Sequence, residues 1–537
     1  MSLTRDVTSV GTATLVSRIL AFLRDIWIAS ILGTTAAADA FFALLQLVNV
    51  LRHTLAEGAL NTAFVPVWLR VRDENGEMGA LRFVRDVLIA TILVAGVAAF
   101  IGFVFASPLI SILMPGFDAE RHNAAAVYLS GASPYLLFAA VGAILVAWLC
   151  AERRVGAASI GIVAFNAVLL GALALATTWA TASGIETPAA IGTLLAHAIA
   201  LAGLAQVVVT GLALWRLKAW TFSKPGPILN LSQEAISKSD RSKSIWRFFA
   251  LAAPGLLAAG MPQIKLMAGA MVASSSAASV SWLYYTNRLY ELPLALISVI
   301  IATALAPRIA ASTRTTSVTA IAGDQSHALE IALGISLPAA LALSLLSHEI
   351  AGGLFQRGAF GASDTAAVAA ALAAICIGLP GHALEKVFGA ISLARDNARM
   401  PLLAALMGLA TAVTGALLLF PTYGHVGVAA AIGASGWVAA VLAGAMLMHR
   451  GWLRVDRGFG LRLLRIAAAT AMMGIALAVL RAFLEIQIGP GLSSAARLAI
   501  LAVLTTSGLT VYVTALHLLG VMRFHDVMAG LRGRSIQ

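Results

Sequence analysis

The feature that most limits what this chain can fold into is a series of apolar stretches, each long enough to cross a lipid bilayer. A spanning helix needs about 20 predominantly apolar residues, and 60% of the 537 residues are hydrophobic whereas only 11% are charged. The pattern predicts an all-α polytopic membrane protein with about fourteen transmembrane helices. The predicted spans cover residues 9–32, 36–67, 83–107, 124–150, 157–180, 187–215, 246–273, 278–308, 328–347, 364–393, 400–420, 425–449, 463–486 and 494–521.

Basic residues in the connections between these spans set the predicted orientation. Every second connection is rich in Arg and Lys, and the intervening ones are nearly free of them. The positive-inside rule therefore predicts that the basic connections and both chain termini are cytoplasmic. The net charge of +12 is interpreted as a topology signal, and no nucleic-acid partner is expected.

The longest polar stretch divides the chain into two halves. Residues 216–246 are predicted to form a cytoplasmic linker after an N-terminal lobe of six helices, residues 1–215. A second six-helix lobe is predicted over 247–450, and two additional helices with a cytoplasmic tail over 451–537.

Two short segments, one on each side of the linker, have similar sequences, an internal echo. The segment Thr62–Pro66 at the end of the second span resembles Thr303–Pro307 at the end of the eighth. Because six spans separate the two segments, the halves would have the same orientation, as in transporters built from parallel repeats around a central cavity. The alternative is that the echo reflects shared composition in Ala-rich sequence.

Several charged residues lie inside predicted spans, where a charge near the middle costs roughly 2.5–3.5 kcal/mol. They predict a wet cavity in the membrane. Arginine predominates, and its planar guanidinium suits bidentate contact with phosphate or carboxylate. The candidates are Arg18, Arg24, Asp39, Asn49, Arg52, Glu57, Arg288 and Glu291, with Lys265 and Lys386 as possible additional cavity cations.

The competing interpretation is that these charges cancel in pairs that only hold the bundle together. Helical spacing suggests three such pairs. They are Arg18 with Asp25, Arg52 with Glu57, and Arg288 with Glu291.

Other chemistry is not predicted. The histidines in or near the spans lack metal-ligand spacing, and no Gly-rich phosphate loop follows a strand. Cys150 and Cys376 have no ligand or redox neighbours and are interpreted as packing residues. We therefore predict no catalytic residue, no metal and no cofactor.

Several of these motifs resemble those of the MurJ (MviN) family of lipid II flippases, in the multidrug/oligosaccharidyl-lipid/polysaccharide exporter superfamily. The similarity extends over most of the chain, and its N-terminal part is the most specific. The motifs that carry it include Ser17–Asp25, Ala38–Phe42, Asn49–Arg52, Ala56–Ala59, Ala63–Val67, Val280–Tyr285, Arg288 with Leu289, Glu291–Pro293 and Leu354–Phe360.

The resemblance implies two six-helix lobes plus two C-terminal helices around a cationic cavity. It implies translocation of lipid II, an undecaprenyl-pyrophosphate-linked peptidoglycan precursor, from the cytoplasmic to the periplasmic leaflet of the bacterial inner membrane by alternating access. The arginines would hold the pyrophosphate, Asp39 and Glu57 would be polar partners or gate elements, and Ser17 joins the candidate set. Membrane lipids, and possible cell-wall synthesis or division proteins, are the other implied partners. Lys265 and Gly269 stand where some relatives have a sodium site, which argues against sodium coupling there.

Two other functions compete with this one. An exporter of another polyprenyl-linked glycan, or of small organic ions, has a similar fold, although cation export favours acidic cavities over the arginine excess here. A cell-wall glycosyltransferase or scaffold is the alternative from a different class. An enzyme would need exposed catalytic carboxylates in a sizeable loop, and the one long polar stretch lacks such a pair.

Overall fold

Long helices account for almost all of the described chain. The computed structural model describes residues 3–56, 59–152, 154–183, 188–222, 260–313, 317–487 and 493–521, and contains no β-strand in these ranges. The predicted all-α class is therefore confirmed. The predicted linker 216–246, Glu57 and the C-terminal tail after 521 lie wholly or largely outside the described residues.

The chain divides into two compact units. One comprises Met1–Met267 with Ser274–Ala278, and the other comprises Ala268–Ala273 with Ser279–Gln537. The division passes through one helix, residues 260–273. The finer predicted boundaries at 215, 246 and 450 stay a prediction.

The first unit begins with the helices that carry most of the candidate residues. They are α1 (Leu3–Leu32), α2 (Ala36–Ala56), α3 (Ala59–Val104), α4 (Ala106–Leu113), α5 (Ala119–Ala132), α6 (Pro134–Ala151), α7 (Val155–Ser183) and α8 (Pro188–Phe222), and helix α9 covers 260–273.

The second unit also consists of helices. Its helices are α10 (Ser279–Ile300), which runs through a π-helical turn at Ile301–Leu305 into α11 (Ala306–Thr313), then α12 (Val318–Leu345), α13 (Ser347–Phe355), α14 (Ala362–Cys376), α15 (Leu379–Leu393), α16 (Arg399–His449), α17 (Phe459–Gln487) and α18 (Ser494–Leu518).

Two predicted connections are glycine bends inside longer helices. Gly76 divides α3 with φ 68°, and Gly424 divides α16 with φ 55°. Glycine adopts positive φ at little steric cost because it lacks a Cβ. The basic residues predicted for a loop after the second span therefore lie on helical turns of α3 that extend beyond its apolar part.

Two predicted spans are themselves divided. Residues 124–150 fall on α5 and α6, which meet at Ser133. Residues 364–393 fall on α14 and α15, which are bent by 42° where they meet. Pro134 and Pro380 lie at the first turns of α6 and α15, where a missing backbone N–H is tolerated.

Apolar length supports the membrane assignment. Among the described helices, nine are long and apolar enough to cross a membrane, or ten if the bent pair α14–α15 counts as one span. Helix α16 alone contains the predicted spans 400–420 and 425–449. The exact number of fourteen therefore stays a prediction.

Small residues let helices within a unit approach closely. A Cβ added at Gly378, before α15, would lie 2.2 Å from the carbonyl oxygen of Gly433 in α16. Backbone-to-backbone contact of this kind is the usual solution where lipid supplies no hydrophobic driving force. Large apolar side chains such as Leu93, Leu418 and Val441 remain exposed, as a lipid-facing surface requires.

Candidate functional site

Arg24 and Asp25 form a buried ion pair on α1. The Arg24 Nε and Nη2 atoms donate to Asp25 Oδ1 at 3.0 and 2.7 Å. The two residues are only 5% and 1% exposed. Adjacent positions on a helix do not face each other, but the long arginine side chain folds back onto its neighbour. The charge of Arg24 is therefore neutralised locally.

Asn166 of α7 extends this pair into a cross-helix network. Arg24 Nη1 donates to Asn166 Oδ1 at 3.3 Å, and Asn166 Nδ2 donates to Ser17 Oγ at 3.0 Å. Ser17 and Asn166 are both buried. The network joins two turns of α1 to the middle of α7. Of the predicted residues, it brings together Ser17 and Arg24.

Arg18 and Arg52 differ from Arg24 in having no counter-carboxylate within the described ranges. Arg18 is exposed on α1. Arg52 is half-buried on α2, and its Nη2 donates to Asn49 Oδ1 at 3.4 Å. The Arg52 Nε is buried without a hydrogen-bond acceptor among described residues. Glu57, its predicted alternative partner, lies outside the described residues.

Asp39 is completely buried at the start of α2. Its Oδ2 accepts hydrogen bonds from the Ala278 backbone N–H at 2.8 Å and from Arg121 Nη1 at 3.5 Å. Arg121 Nη1 also donates to the carbonyls of Ser274 and Ser276 at 3.0 and 3.2 Å. Asp39 therefore holds segment 274–278 to α2 and α5, all within the first unit.

Asp118 completes the surroundings of Arg121. It caps α5 by accepting from the Arg121 backbone N–H at 2.9 Å and lies 3.1 Å from the Arg121 Nε. That backbone hydrogen bond, followed by the charge of Arg121, lowers the pKa of the Asp118 carboxyl below its ordinary value. Because Asp118 is largely exposed, solvent screens the interaction and its contribution to stability is small.

Arg288 is the candidate cation of α10 in the second unit. Its Nε and Nη2 donate to the Tyr284 hydroxyl at 3.2 and 2.9 Å, and its Nη1 lies 3.5 Å from Glu291 Oε2. The three residues share one stripe of the helix, as their spacing of three and four positions predicts. Tyr284 therefore orients the guanidinium, while Glu291 forms a long ion pair with it.

The two candidate lysines occupy different environments. Lys265, on α9, is only 4% exposed, so it lies inside the protein rather than reaching the membrane surface. Lys386, on α15, is half-buried. Within the described part of the chain, no three His, Cys, Asp or Glu side chains are grouped to hold a metal ion.

Comparison with known proteins shows the family to which this chain belongs. The sequence matches the family model described as "Lipid II flippase MurJ" over residues 28–496. The chain belongs to this family.

Curated MurJ relatives are similar over almost their whole length. The "Probable lipid II flippase MurJ" of Rhizobium meliloti (strain 1021) is 33% identical over 96% of this chain and 93% of its own. That of Rhizobium tropici is 29% identical over 97% of this chain and 95% of its own. The predicted family is confirmed by these matches.

Solved structures show the same fold. "Lipid II flippase MurJ, inward closed conformation" matches with a TM-score of 0.75 and 20% identity, covering 97% of this chain and 99% of that one. An inward-facing multidrug resistance MATE family transporter of the MOP superfamily matches with a TM-score of 0.66 and 15% identity, covering 81% and 94%. Both matches have the helical fold that the resemblance implies.

Two residues around the candidate set were missed by sequence reasoning. Asn166 is a single polar residue in an otherwise apolar span, and Arg121 is a single cation in a connection with no other Arg or Lys. Tyr284 was predicted to share one stripe of its helix with Arg288 and Glu291, and the structure adds its hydrogen bond to Arg288. For Asn166, an isolated polar group in apolar sequence was the available signal.

Proposed function

We propose that this protein flips lipid II from the cytoplasmic to the periplasmic leaflet, with its pyrophosphate bound by intramembrane arginines. The role of the arginines is inferred from one observation: the arginines of the first unit differ in whether a carboxylate neutralises them. Arg24 has its own carboxylate, whereas Arg18 and Arg52 have none among described residues. Membership of the MurJ family supports the substrate and the reaction.

Arg18 and Arg52 are therefore the primary ligands in this proposal. A guanidinium without a counter-charge inside a membrane protein is costly, and binding an anion offsets that cost. The planar fork donates two parallel hydrogen bonds to one phosphate, which an ammonium group does not. Asn49 orients Arg52 through the hydrogen bond at 3.4 Å.

Arg24 takes a positioning role in the proposal. Its bonds to Asp25 and Asn166 fix α1 against α7, which sets the direction in which Arg18, less than two turns away, projects. Arg288, oriented by Tyr284, is a further proposed ligand of the pyrophosphate. Asp39 acts on segment 274–278 rather than on the headgroup.

Alternating access with cytoplasmic termini is the proposed transport cycle. The headgroup enters a cavity open to the cytoplasm, and the loaded protein reopens to the periplasm while the polyprenyl tail stays in the bilayer. The membrane potential would help return the empty, positively charged carrier, because each charge crossing the full field is worth about 2.3 kcal/mol per 100 mV.

Depletion of the protein in its own cell tests the substrate. Lipid-linked precursors are extracted and identified by mass spectrometry, and spheroplasts report which leaflet holds them. We expect lipid II to accumulate on the cytoplasmic side. Accumulation of a different polyprenyl-linked glycan, with lipid II still reaching the periplasm, would identify the alternative exporter and refute the proposal.

A further inference from the structure

The loop between α16 and α17 presents an aromatic residue with cations beside it. The Cζ atoms of Arg450 and Arg395 lie 5.0 and 5.5 Å from the ring centroid of Trp452. Arg395 comes from the turn after α15, so two separate connections of the second unit meet at one indole. Guanidinium groups at such distances are attracted to the ring by its quadrupole.

This loop is fixed to α12 by buried polar side chains. Gln325 Nε2 donates to the Trp452 carbonyl at 3.1 Å, and Gln325 Oε1 accepts from the Arg454 backbone N–H at 2.8 Å. Ser326 Oγ accepts from the Asp456 backbone N–H at 2.9 Å. Gln325 and Ser326 are both completely buried. The indole is therefore held in place before any ligand arrives.

Two acidic side chains beside the loop are already paired with Arg462. Asp456 accepts from Arg462 Nη2 at 2.6 Å, and Glu330 accepts from Arg462 Nε at 2.7 Å. Within the described ranges, none of the cations Arg395, Arg450 and Arg454 forms an ion pair. The cluster therefore carries an excess of positive charge.

A neighbouring positive charge affects the pKa of Arg395. Burial lowers the pKa of its guanidinium below the ordinary value, and the positive charge of Arg454 lowers it further. An anion placed between these groups would offset the repulsion between the two guanidinium groups.

The cluster lies where lipid-facing helices end. Helix α15 ends at Leu393 and α16 ends at His449. The apolar side chains of Leu393, Met448 and Leu461, next to the cluster in sequence, are all more than half exposed. Tryptophan and arginine at the end of such apolar surface are typical of the level of lipid headgroups. Both connections belong to the basic set that is predicted to be cytoplasmic.

We propose that Trp452, Arg395, Arg450 and Arg454 form a binding site for the headgroup of an acidic phospholipid in the cytoplasmic leaflet. The guanidinium groups would donate to the phosphate, while the acyl chains would lie along the exposed apolar ends of the helices. This site is separate from the candidate arginines inside the spans, and it goes beyond the proposed flippase activity.

Lipid retention by the full chain tests this site. The wild type and the double variant Arg395→Gln with Arg450→Gln are purified from nanodiscs of equal phosphatidylglycerol and phosphatidylcholine, and bound lipids are counted by native mass spectrometry. Each surface cation contributes enough attraction that losing two should reduce the preference for phosphatidylglycerol about tenfold or more. Replacement of both by Lys should give an intermediate preference, because charge remains without the planar group.

A matched control variant removes two positive charges from a different part of the protein. Arg70 and Arg82 are exposed cations of the same predicted cytoplasmic set on α3, and Arg70→Gln with Arg82→Gln should retain the wild-type preference. Equal loss in both double variants would show a diffuse charge effect and overturn the site, as would wild-type retention in the Arg395/Arg450 variant. Displacement of the lipid by millimolar inorganic phosphate, or by an equimolar amount of lipid II, would assign the cluster to a different anion and also overturn it.

Discussion

At the scale of single residues, the arginines within the spans differ in whether they have a partner. Arg24 is paired with its neighbour Asp25, whereas helical spacing predicts Arg18 as the partner of that carboxylate. The spacing rule compares Cβ positions and does not include how far a guanidinium can fold back along its own helix. The pairing interpretation therefore describes Arg24, and at a longer distance Arg288, but not Arg18.

Removing Arg24 should destabilise the fold rather than only weaken substrate binding. Arg24→Ala removes the guanidinium 2.7 Å from the buried Asp25 carboxylate, and the loss of one member of a buried ion pair typically costs about 3–5 kcal/mol. Thermal unfolding of the detergent-solubilised protein measures the effect. The double variant Arg24→Ala with Asp25→Ala should recover a large part of the loss, because no buried charge remains.

Arg85 and Asp86 offer a matched control for that experiment. They too are adjacent on a helix and lie 2.8 Å apart, but the Arg85 side chain is 58% exposed. Because solvent screens the exposed Arg85 guanidinium, Arg85→Ala should destabilise the protein less than Arg24→Ala, although the Asp86 side chain is only 12% exposed. Similar losses at the two pairs would mean that burial does not decide the role of Arg24.

At the scale of helices, glycine positions determine where elements bend and how closely they pack. Gly76 and Gly424 lie in predicted connections and were not predicted as bends within longer helices, because a glycine between apolar runs usually indicates a turn or loop. Their positive φ values mark the bends instead. Helix type and approximate length were predictable from apolar periodicity, but helix ends within the bent regions were not.

Gly378→Ala should destabilise the second unit. The added Cβ would lie 2.2 Å from the Gly433 carbonyl oxygen, which belongs to the backbone, so the helices must separate. Overpacking of this kind costs typically about 1–3 kcal/mol. The unfolding temperature measures it.

Gly389→Ala on α15 is the matched control. Its Cβ would meet Pro401 Cβ at 3.7 Å, an ordinary contact, and its stability should be close to that of the wild type. If both variants unfold at the wild-type temperature, close helix packing at Gly378 does not limit stability.

At the scale of the whole molecule, sequence and structure agree on a polytopic helical protein of the MurJ family. Composition, apolar length and the N-terminal motif were sufficient for that assignment. The polar partners Asn166 and Arg121 were not predictable as partners, because their contacts depend on tertiary packing, whereas helical spacing places Tyr284 beside Arg288. The charged residues of the spans could be identified from the sequence, because a charge within the hydrocarbon core is costly and therefore rare in a spanning helix.

The most direct test of the arginine account is lipid II flipping in proteoliposomes by Arg52→Ala and Arg52→Lys, with Arg85→Ala as control. We expect Arg52→Ala to lose at least about tenfold in rate, the worth of roughly one charge-assisted hydrogen bond, while keeping the wild-type unfolding temperature. Arg52→Lys should be intermediate and Arg85→Ala unchanged. Wild-type flipping by Arg52→Ala would contradict pyrophosphate binding by this guanidinium.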